Sequence, residues 1–351
     1  MKVLYHLPSV HSMYAGRFIA QGYQDAFTDL GHVFRLVGNT ENILRVADEY
    51  SPDLFITSSH RICTDHLDFG QLTRLRSRGL CVAVQIDRLK FPEDSGHALG
   101  RRPELLQHIR DDKFGDVYFN YYQHEDMRDF VQVTGRQHHT VLLAANRLVH
   151  YPQEADPNWA SDAIFIGAYL PRKRETFAKL LAPLRARYRV RVYGPDWSVR
   201  DRTIGFVQRV SQYLKLRLFD RLRSPSLTQD EERVAYASTR IGINIHETQQ
   251  RRDGQDFNER TLKIMACGAF QLCDHVAGIR KYFTPSELVM ARDDEWEAQF
   301  EYYFHHDRER RDIQDRGTRK VHEAHTYHHR VAQFVELWER WRIDRAFRIN
   351  Q

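Results

Sequence analysis

An anion-binding site is predicted where the segment from Asp256 to Thr261 enters a helix. Asn258 or Thr261 can cap this helix, whose free amide groups and positive dipole end attract negative charge. Arg260 lies in the same turn, and its fork of N–H donors can hold two phosphate oxygens. The arrangement suits a diphosphate. A capped helix with a solvated arginine is the alternative interpretation, and the local sequence leaves both open.

A second cationic turn follows the apolar run Ala163 to Ile166, which ends in Gly167. Arg172, Lys173 and Arg174 come soon after the glycine, and cations in such a turn stabilise phosphate charge that develops as a bond breaks. Gly167, Arg172 and Arg174 are therefore predicted to contact an anionic substrate. A basic surface turn is the alternative interpretation.

Two polar side chains follow apolar runs in the N-terminal half of the chain. His60 follows Leu54 to Thr57, and Asp87 follows Cys81 to Ile86. An imidazole or a carboxylate at such a position can act as a general base on a hydroxyl group, although a turn or a cap is the more frequent role. His11 is the next candidate for this chemistry.

Two glycines beside strand candidates indicate close approach of the backbone to a ligand. Gly16 follows the first apolar run and opens a helix, whereas Gly194 ends another run directly after Tyr193. Tyr193 and Gly194 could flank such a ligand, with packing as the alternative role of the tyrosine.

These residues need parallel strands to bring them together. Short β-branched runs alternate with segments of helical periodicity, which is typical of parallel sheets covered by helices on both faces. The pattern lapses between residues 146 and 162, where prolines 152 and 157 indicate a linker. We therefore predict two doubly wound α/β (Rossmann-like) domains that face a cleft. The predicted strands are Val3–Leu7, Val33–Val37, Leu54–Thr57, Cys81–Ile86, Val117–Tyr121, Val141–Ala144, Ala163–Ile166, Val190–Tyr193, Arg240–Ile245 and Phe270–Cys273.

Length and composition agree with two domains in a reducing compartment. The chain has 351 residues, 42% of them hydrophobic, which is too long for one core of usual size. Its four cysteines form no C-x-x-C pair, and no run approaches the length of a membrane-spanning helix. A cytoplasmic location is predicted. The formal charge of +5 permits a polyanionic partner without requiring one, and no metal site is predicted from ligand spacing.

The order of motifs in the C-terminal half resembles the CgeB-like glycosyltransferases, a family with the GT-B fold. The matching residues are Asn244, Arg260, Ala266-Cys267-Gly268-Ala269, Asp274, His325-Thr326-Tyr327 and Arg330, preceded by Phe165 to Arg174 and Val192 to Trp197. The resemblance implies metal-independent transfer of a sugar from a nucleoside-diphosphate sugar, with no cofactor besides that substrate. The acceptor is a hydroxyl or an amine that the sequence does not identify.

The resemblance also distributes roles along the chain. Residues 1–150 are expected to form the acceptor domain with His60 and Asp87, residues 160–325 the donor domain, and residues 326–351 a helical region that packs back on the first domain. The residues expected to bind the donor are Gly16, Gly167, Arg172, Arg174, Tyr193, Gly194, Asn244, His246, Asn258, Arg260, Thr261, Lys263 and Gly268. Two alternatives stay open: a non-catalytic surface or coat protein that keeps the fold, and a glycosyltransferase that modifies nucleic acid.

One position departs from the wider GT-B pattern. Many of these enzymes carry, five residues before the glycine of Ala-Cys-Gly, a glutamate that accepts hydrogen bonds from the donor ribose. This chain has Lys263 there, and an ammonium group cannot accept a hydrogen bond. Either the ribose is held differently, or Lys263 meets a phosphate or the substrate.

Residues 206–223 form a predicted basic helix with an apolar stripe that includes Val207 and Val210. In one interpretation the stripe packs in the core. In the other, the helix lies on an anionic membrane or holds a lipid-linked acceptor.

Overall fold

The computed structural model describes residues 1–8, 15–90, 98–213 and 227–349. One earlier candidate, His11, lies outside these ranges, as does the second part of the predicted basic helix. The chain divides into two compact units. Unit 1 consists of Met1–Leu143 and Tyr327–Gln351, and unit 2 consists of Ala144–Thr326.

The described part of the chain alternates strands with helices. The strands are β1 Lys2–His6, β2 Val33–Val37, β3 Leu54–Ser58, β4 Cys81–Gln85, β5 Val117–Asn120, β6 His138–Thr140, β7 Ser161–Ile166, β8 Val190–Tyr193, β9 Thr239–Asn244, β10 Gln271–Asp274 and β11 Val289–Ala291. The helices are α1 Ala15–Asp29, α2 Ile43–Tyr50, α3 Arg61–Thr64, α4 Phe69–Ser77, α5 Pro103–Arg110, α6 Arg128–Thr134, α7 Arg174–Leu180, α8 Ala182–Arg187, α9 Val199–Tyr213, α10 Gln229–Ala237, α11 Thr248–Asp253, α12 Arg260–Ala266, α13 Trp296–His305, α14 Asp307–Ala324 and α15 Tyr327–Ile349.

Unit 1 is built on a parallel sheet in the order β2-β1-β3-β4-β5-β6. Its central strands are buried on both faces, because β3 and β4 consist largely of Val, Ala, Leu, Ile and Phe. The last helix of the chain belongs to this unit and packs on α1. Gly22 of α1 makes this contact possible, since a Cβ there would collide with the ring of Tyr327.

Unit 2 is built on a parallel sheet in the order β11-β10-β9-β7-β8. Its core brings the inner strands together with the apolar faces of α7, α8 and α13, where Trp296 and Phe300 are buried. Trp296 donates its Nε1 hydrogen to the carbonyl of Leu180, 2.8 Å away, so this buried ring keeps a hydrogen-bond partner. Two parallel-sheet α/β units of this kind confirm the predicted fold class.

The structure corrects one predicted strand and adds details that the sequence did not reveal. The strand expected at Val141–Ala144 is wrong, because His138–Thr140 pairs with β5 instead, with the buried His138 bonded to Asn120 across the sheet. The helical segment from Arg174 to Arg187 is divided at Leu181, since Pro183 in the first turn of α8 fits a new helix start. Strand β11 was not predicted at all.

None of the helices in the described ranges is long and apolar enough to cross a membrane.

Candidate functional site

The carboxyl ends of β7 and β9 mark the ligand-binding edge of unit 2. These strands are neighbours, but β7 leads to β8 on one side and β9 leads to β10 on the other. Ligands of open parallel sheets bind at such a switch point, outside the carboxyl ends of the strands. Gly167 follows β7, and His246 follows β9 by two residues, so this is the edge where substrate contacts are expected.

Arg260, the first residue of α12, ties these two strand ends together. Its Nε donates to the carbonyl of Ile166 at 2.6 Å, and its Nη1 donates to Asn244 Oδ1 at 3.2 Å and to the carbonyl of Ile245 at 3.3 Å. A Cβ at Gly167 would collide with Nη2. Because two of its three nitrogens already bind protein carbonyl oxygens, the arginine does not offer the full bidentate fork that the sequence suggested. Its Nη2 is the nitrogen that remains for a ligand.

The side chain of Asn258 accepts a hydrogen bond from a free amide in the first turn of α12, although Glu259 occupies the N-cap position itself. Asn258 Oδ1 accepts this bond from the backbone amide of Thr261 at 3.1 Å, while its Nδ2 donates to Asn244 Oδ1 at 3.0 Å. Asn244 in turn donates to Thr261 Oγ1 at 2.9 Å. The cap is therefore held from the neighbouring strand, and both Asn244 and Thr261 are fully buried. These two residues position the turn without reaching its surface.

His246 continues the same network inward. Its Nδ1 lies 2.6 Å from Asp274 Oδ1, and its Nε2 lies 3.2 Å from Thr261 Oγ1. With the proton on Nδ1 shared toward the carboxylate, Nε2 accepts from the threonine hydroxyl. Burial alone would raise the pKa of Asp274, but His246 and the guanidinium of Arg251 hold that pKa below its usual range. His246 is fully buried, so it orients Thr261 and is not placed to touch a donor.

His246, Cys273 and Asp274 form the group of potential metal ligands found among the described residues, with ligand atoms within 4.8 Å of one another. Asp274 already accepts hydrogen bonds from the backbone amide and the ring of His246 and pairs with Arg251 at 3.1 Å. Burial raises the pKa of the Cys273 thiol well above its ordinary value, which disfavours the thiolate that a metal requires. These contacts describe a buried hydrogen-bonded cluster, which holds the end of β9 against β10.

Lys173 is the cation that the structure places at the switch point. It is buried, and its Nζ donates to the carbonyl of Ile245 at 2.9 Å. Burial, reinforced by the nearby positive charge of Arg260, lowers the pKa of this lysine to about 7. A strongly shifted lysine beside a strand end is a functional-site candidate. Lys173 lies in the 3-10 turn directly before α7, at the N-cap position, and its Nζ lies over the ring of Phe177, 5.9 Å from the ring centroid.

The two flanking arginines behave differently from Lys173. Arg172 and Arg174 are exposed, and Arg172 forms an ion pair with Glu247. Both therefore lie on the surface of the turn that the sequence identified, with the buried cation between them.

The turns after β7 and β8 approach each other closely. Gly167 donates its amide to the carbonyl of Tyr193 at 2.8 Å and accepts a hydrogen bond from Trp197 Nε1 at 2.7 Å. Gly194 has a φ of +130°, and a Cβ there would collide with the backbone of Gly167. Tyr193 is half-buried and packs near Trp159, with ring centroids 6.0 Å apart. The close approach explains both glycines, and the ring of Tyr193 has a packing partner.

Gly268 lies apart from the group just described. It follows α12, with a φ of +73°, and its nearest neighbours are atoms of Pro152. Helix α12 ends at Ala266, so Gly268 lies at the opposite end of this helix from Arg260, beside the start of β10. The sequence-based grouping of Gly268 with the donor residues is corrected accordingly.

Lys263 lies one turn inside α12, within a buried cluster of charges. Its Nζ is 3.3 Å from Glu259 Oε2, and Glu232 of α10 adds a second carboxylate. Burial would lower the pKa of this lysine, but the two glutamates raise it, and Lys263 in turn lowers the pKa of Glu232 to about 2. The lysine that replaces the expected glutamate is thus compensated by carboxylates from its own helix and from α10.

In unit 1, His60 and Asp87 line one cavity of about 490 Å³. Phe69 and His108 also line it, with their rings stacked at a centroid distance of 4.3 Å. This volume is typical of small-molecule sites, which range over roughly 300–1,000 Å³. The structure therefore brings together the two side chains that the sequence singled out in the N-terminal half.

The hydrogen bonds of His60 and Asp87 separate their roles. His60 caps α3, and its Nδ1 accepts from the amide of Ile62 at 3.3 Å, which leaves the proton of a neutral ring on Nε2. Asp87 lies beside Ser59, whose Oγ accepts from the Asp87 amide at 3.0 Å and donates to the carboxylate at 3.4 Å. The geometry favours the carboxylate as a proton acceptor and the imidazole as a hydrogen-bond donor.

Gly16 lies in the first turn of α1, with Leu7 as the nearest side chain, and belongs to unit 1. The structure does not group it with the residues of unit 2.

Comparison with known proteins supports the sequence resemblance at the level of enzyme class. The sequence model of a family described as "Glycosyl transferase-like" matches residues 172–336. No curated protein sequence matches the chain significantly.

Solved structures match the whole chain at low sequence identity. An alpha-glucosyltransferase in complex with UDP superposes with a TM-score of 0.64 and 12% identity, covering 97% of this chain and 100% of its own. A sucrose-phosphate synthase from Thermosynechococcus elongatus gives 0.59 and 12%, covering 97% and 98%. The Anabaena protein HepE in complex with UDP-glucose gives 0.59 and 11%, covering 99% of both chains. The family match gives residues 172–336 a glycosyltransferase-like sequence, and the structural similarity shows that the chain has the GT-B fold.

Proposed function

We propose that the protein transfers a sugar from a nucleoside-diphosphate sugar, and that unit 2 binds the diphosphate at the β7–β9 switch point. The observation that carries this proposal is the burial of the Lys173 ammonium group at the switch point. A buried ammonium group has three N–H donors, and within the described ranges this one has a single hydrogen bond, to the carbonyl of Ile245. The carboxylates of Glu247 and Asp274 offset the burial of this cation only in part, and a diphosphate would supply a closer counterion.

The neighbouring groups suit the same ligand. Nη2 of Arg260 lies beside Gly167, within the turn that Asn258 caps. When the bond between the anomeric carbon and the diphosphate oxygen breaks, the electron pair passes to that oxygen. Lys173 and Arg260 would stabilise the resulting negative charge without rearrangement, because the protein already holds both in place.

The acceptor is proposed to bind in the unit 1 cavity. Among the described residues that line it, carboxylates and guanidinium groups balance, namely Asp65, Asp87 and Glu104 against Arg61, Arg101 and Arg102. A balanced lining with an aromatic stack suits a neutral, hydroxyl-rich acceptor better than a polyanion. Asp87 would accept the proton of the attacking hydroxyl while His60 donates a hydrogen bond to a neighbouring oxygen.

Uridine diphosphate is the first nucleotide to test, since two structurally similar proteins were solved with UDP or UDP-glucose. A thermal-shift screen against UDP, GDP, CMP and dTDP should show a raised melting temperature for the nucleotide that the enzyme uses. UDP release from a panel of UDP-sugars, with neutral saccharides as acceptors, then tests turnover. The proposal fails if no nucleotide stabilises the protein and no donor is consumed.

Several finer expectations stay predictions that the same assays address. Donor consumption separates an enzyme from a non-catalytic coat protein, and retained activity in a chelator would support metal independence. Another solved alpha-glucosyltransferase contains a 13-mer DNA, so a DNA acceptor belongs in the panel, although the balanced lining of the cavity disfavours it. The CgeB-like assignment and the cytoplasmic location are likewise proposals.

A further inference from the structure

Helix α9 has its apolar side on the outside. Val199 is 70% exposed, Phe206 61%, Val207 41% and Val210 40%. These positions lie within about 100° of one another around the helix axis, so they form a single stripe, which we call the α9 face. The opposite side of the helix is buried and consists of Gly205, Gln208 and Ser211.

This inversion contradicts a core-facing stripe for the part of the basic helix that the structure describes. Val207 and Val210 were expected to pack inward in one interpretation of the sequence, and both are exposed. A helix in a globular domain normally buries its apolar side, and a contiguous exposed apolar surface usually marks an interaction site. The α9 face is therefore expected to have a partner.

Charge indicates which partner it has. Arg200 and Arg202 are exposed and flank the α9 face on its two sides. In the sequence that follows the helix, residues 214–223 add four basic residues and one acidic residue, Asp220. Apolar side chains flanked by arginines are typical of helices that lie in the interface of an anionic membrane.

We propose that the α9 face binds the surface of a membrane that contains anionic lipids. Phe206 and the valines would enter the boundary between headgroups and acyl chains, and the flanking arginines would meet lipid phosphates. The inference is independent of the donor and acceptor proposals, because none of its residues belongs to either site.

Vesicle co-sedimentation tests the proposal with the full chain. Vesicles of phosphatidylcholine alone are compared with vesicles containing phosphatidylglycerol, at low and at roughly physiological salt. The wild type should bind the anionic vesicles. The double substitution Phe206→Ser/Val210→Ser should weaken binding by about tenfold to a hundredfold, because it removes apolar area that the membrane would bury. The substitution Arg200→Gln should weaken binding by about fivefold, because it removes a charge that meets lipid phosphates.

Phe347→Gln is the matched control, since Phe347 is 66% exposed on α15 of unit 1 and lies outside the α9 face. It should bind like the wild type, and all variants should keep the nucleotide-induced thermal shift of the wild type. A wild type that stays in the supernatant with anionic vesicles overturns the proposal. A double variant that still binds the anionic vesicles also overturns it. A wild-type dimer in light scattering that is lost in the double variant would overturn it as well, because the α9 face would then bind a second copy of the chain.

Discussion

The pKa of Lys173 makes nucleotide affinity depend on pH with a defined sign. In the free protein this pKa is lowered to about 7, mainly by burial. A bound diphosphate would favour the charged form and so raise this pKa toward its ordinary value. Between the pKa of the free protein and the higher pKa of the complex, binding is accompanied by proton uptake. Affinity should therefore be highest near or below pH 7 and fall as the pH rises.

The size of the effect follows from linkage. Above pH 7, affinity should fall by about tenfold per pH unit until the neutral lysine contributes nothing. A charge-assisted hydrogen bond is worth about 1.5–3 kcal/mol, so Lys173→Met should bind about ten- to a hundredfold more weakly at pH 6.5. At pH 9 the wild type and the variant should bind almost equally. The titration of the terminal phosphate, near pH 6, affects both proteins alike and cancels in their ratio.

Calorimetric titration of UDP between pH 6.5 and pH 9 measures this ratio. Lys179→Met is the control, because Lys179 is an exposed lysine of the adjoining helix α7 that pairs with Asp293 at 3.2 Å. It should follow the wild type at every pH. A constant ratio between wild type and Lys173→Met would refute the reasoning, whether both bind well or both bind poorly. In the free protein, the contribution of Lys173 to the free energy of unfolding should rise between about pH 7 and pH 10. In this range the lysine is protonated in the unfolded chain but neutral in the folded protein.

Three further substitutions test the remaining contacts. Arg260→Ala should weaken UDP binding about tenfold through the loss of Nη2, and urea denaturation should also show a loss of about 1–2 kcal/mol, because the strand-end carbonyls lose their donor; unchanged affinity would remove this residue from the donor site. Asp87→Asn should reduce turnover by about a hundredfold or more with donor affinity kept, whereas His60→Ala should mainly raise the acceptor KM; the reverse pattern would exchange the two roles. Lys263→Met should destabilise the protein by about 3–5 kcal/mol, and adding Glu232→Gln should restore part of that loss; equal stability of the single and double variants would contradict the compensation.

Much of the fold was predictable because burial on both faces leaves a clear pattern in the strands. β2 and β8 have the predicted bounds, and β3, β4 and β7 differ by one or two residues. Strand β6 escaped the prediction because its His-His-Thr sequence carries no apolar signal; its place is set by backbone pairing with β5. Strand β11 is only three residues long, which is too short for periodicity to register.

The functional residues were predictable by type and only partly by contact. The cap at Asn258 follows from local sequence, and the structure shows it. That Arg260 would be bound to Ile166 and Asn244 depends on residues far away in the chain, which no local pattern contains. Lys173 was overlooked in favour of its two arginine neighbours because charge was counted and side-chain direction was not. The direction in which each side chain leaves the backbone decides which of the three adjacent cations reaches the strand end.

The two buried lysines of unit 2 show why one is assigned to structure and the other to function. Lys263 has Glu259 within ion-pair distance and Glu232 nearby, and its pKa is raised. Lys173 has no carboxylate within ion-pair distance in the part of the chain described here, and its pKa is lowered. The fold itself therefore supplies the counterions of Lys263. Glu247 and Asp274 offset the burial of Lys173 only in part, so a ligand that brings negative charge would favour its charged form. A glutamate at position 263 would place a third carboxylate beside those of Glu259 and Glu232. This repulsion explains why a lysine stands where the wider GT-B pattern has a glutamate.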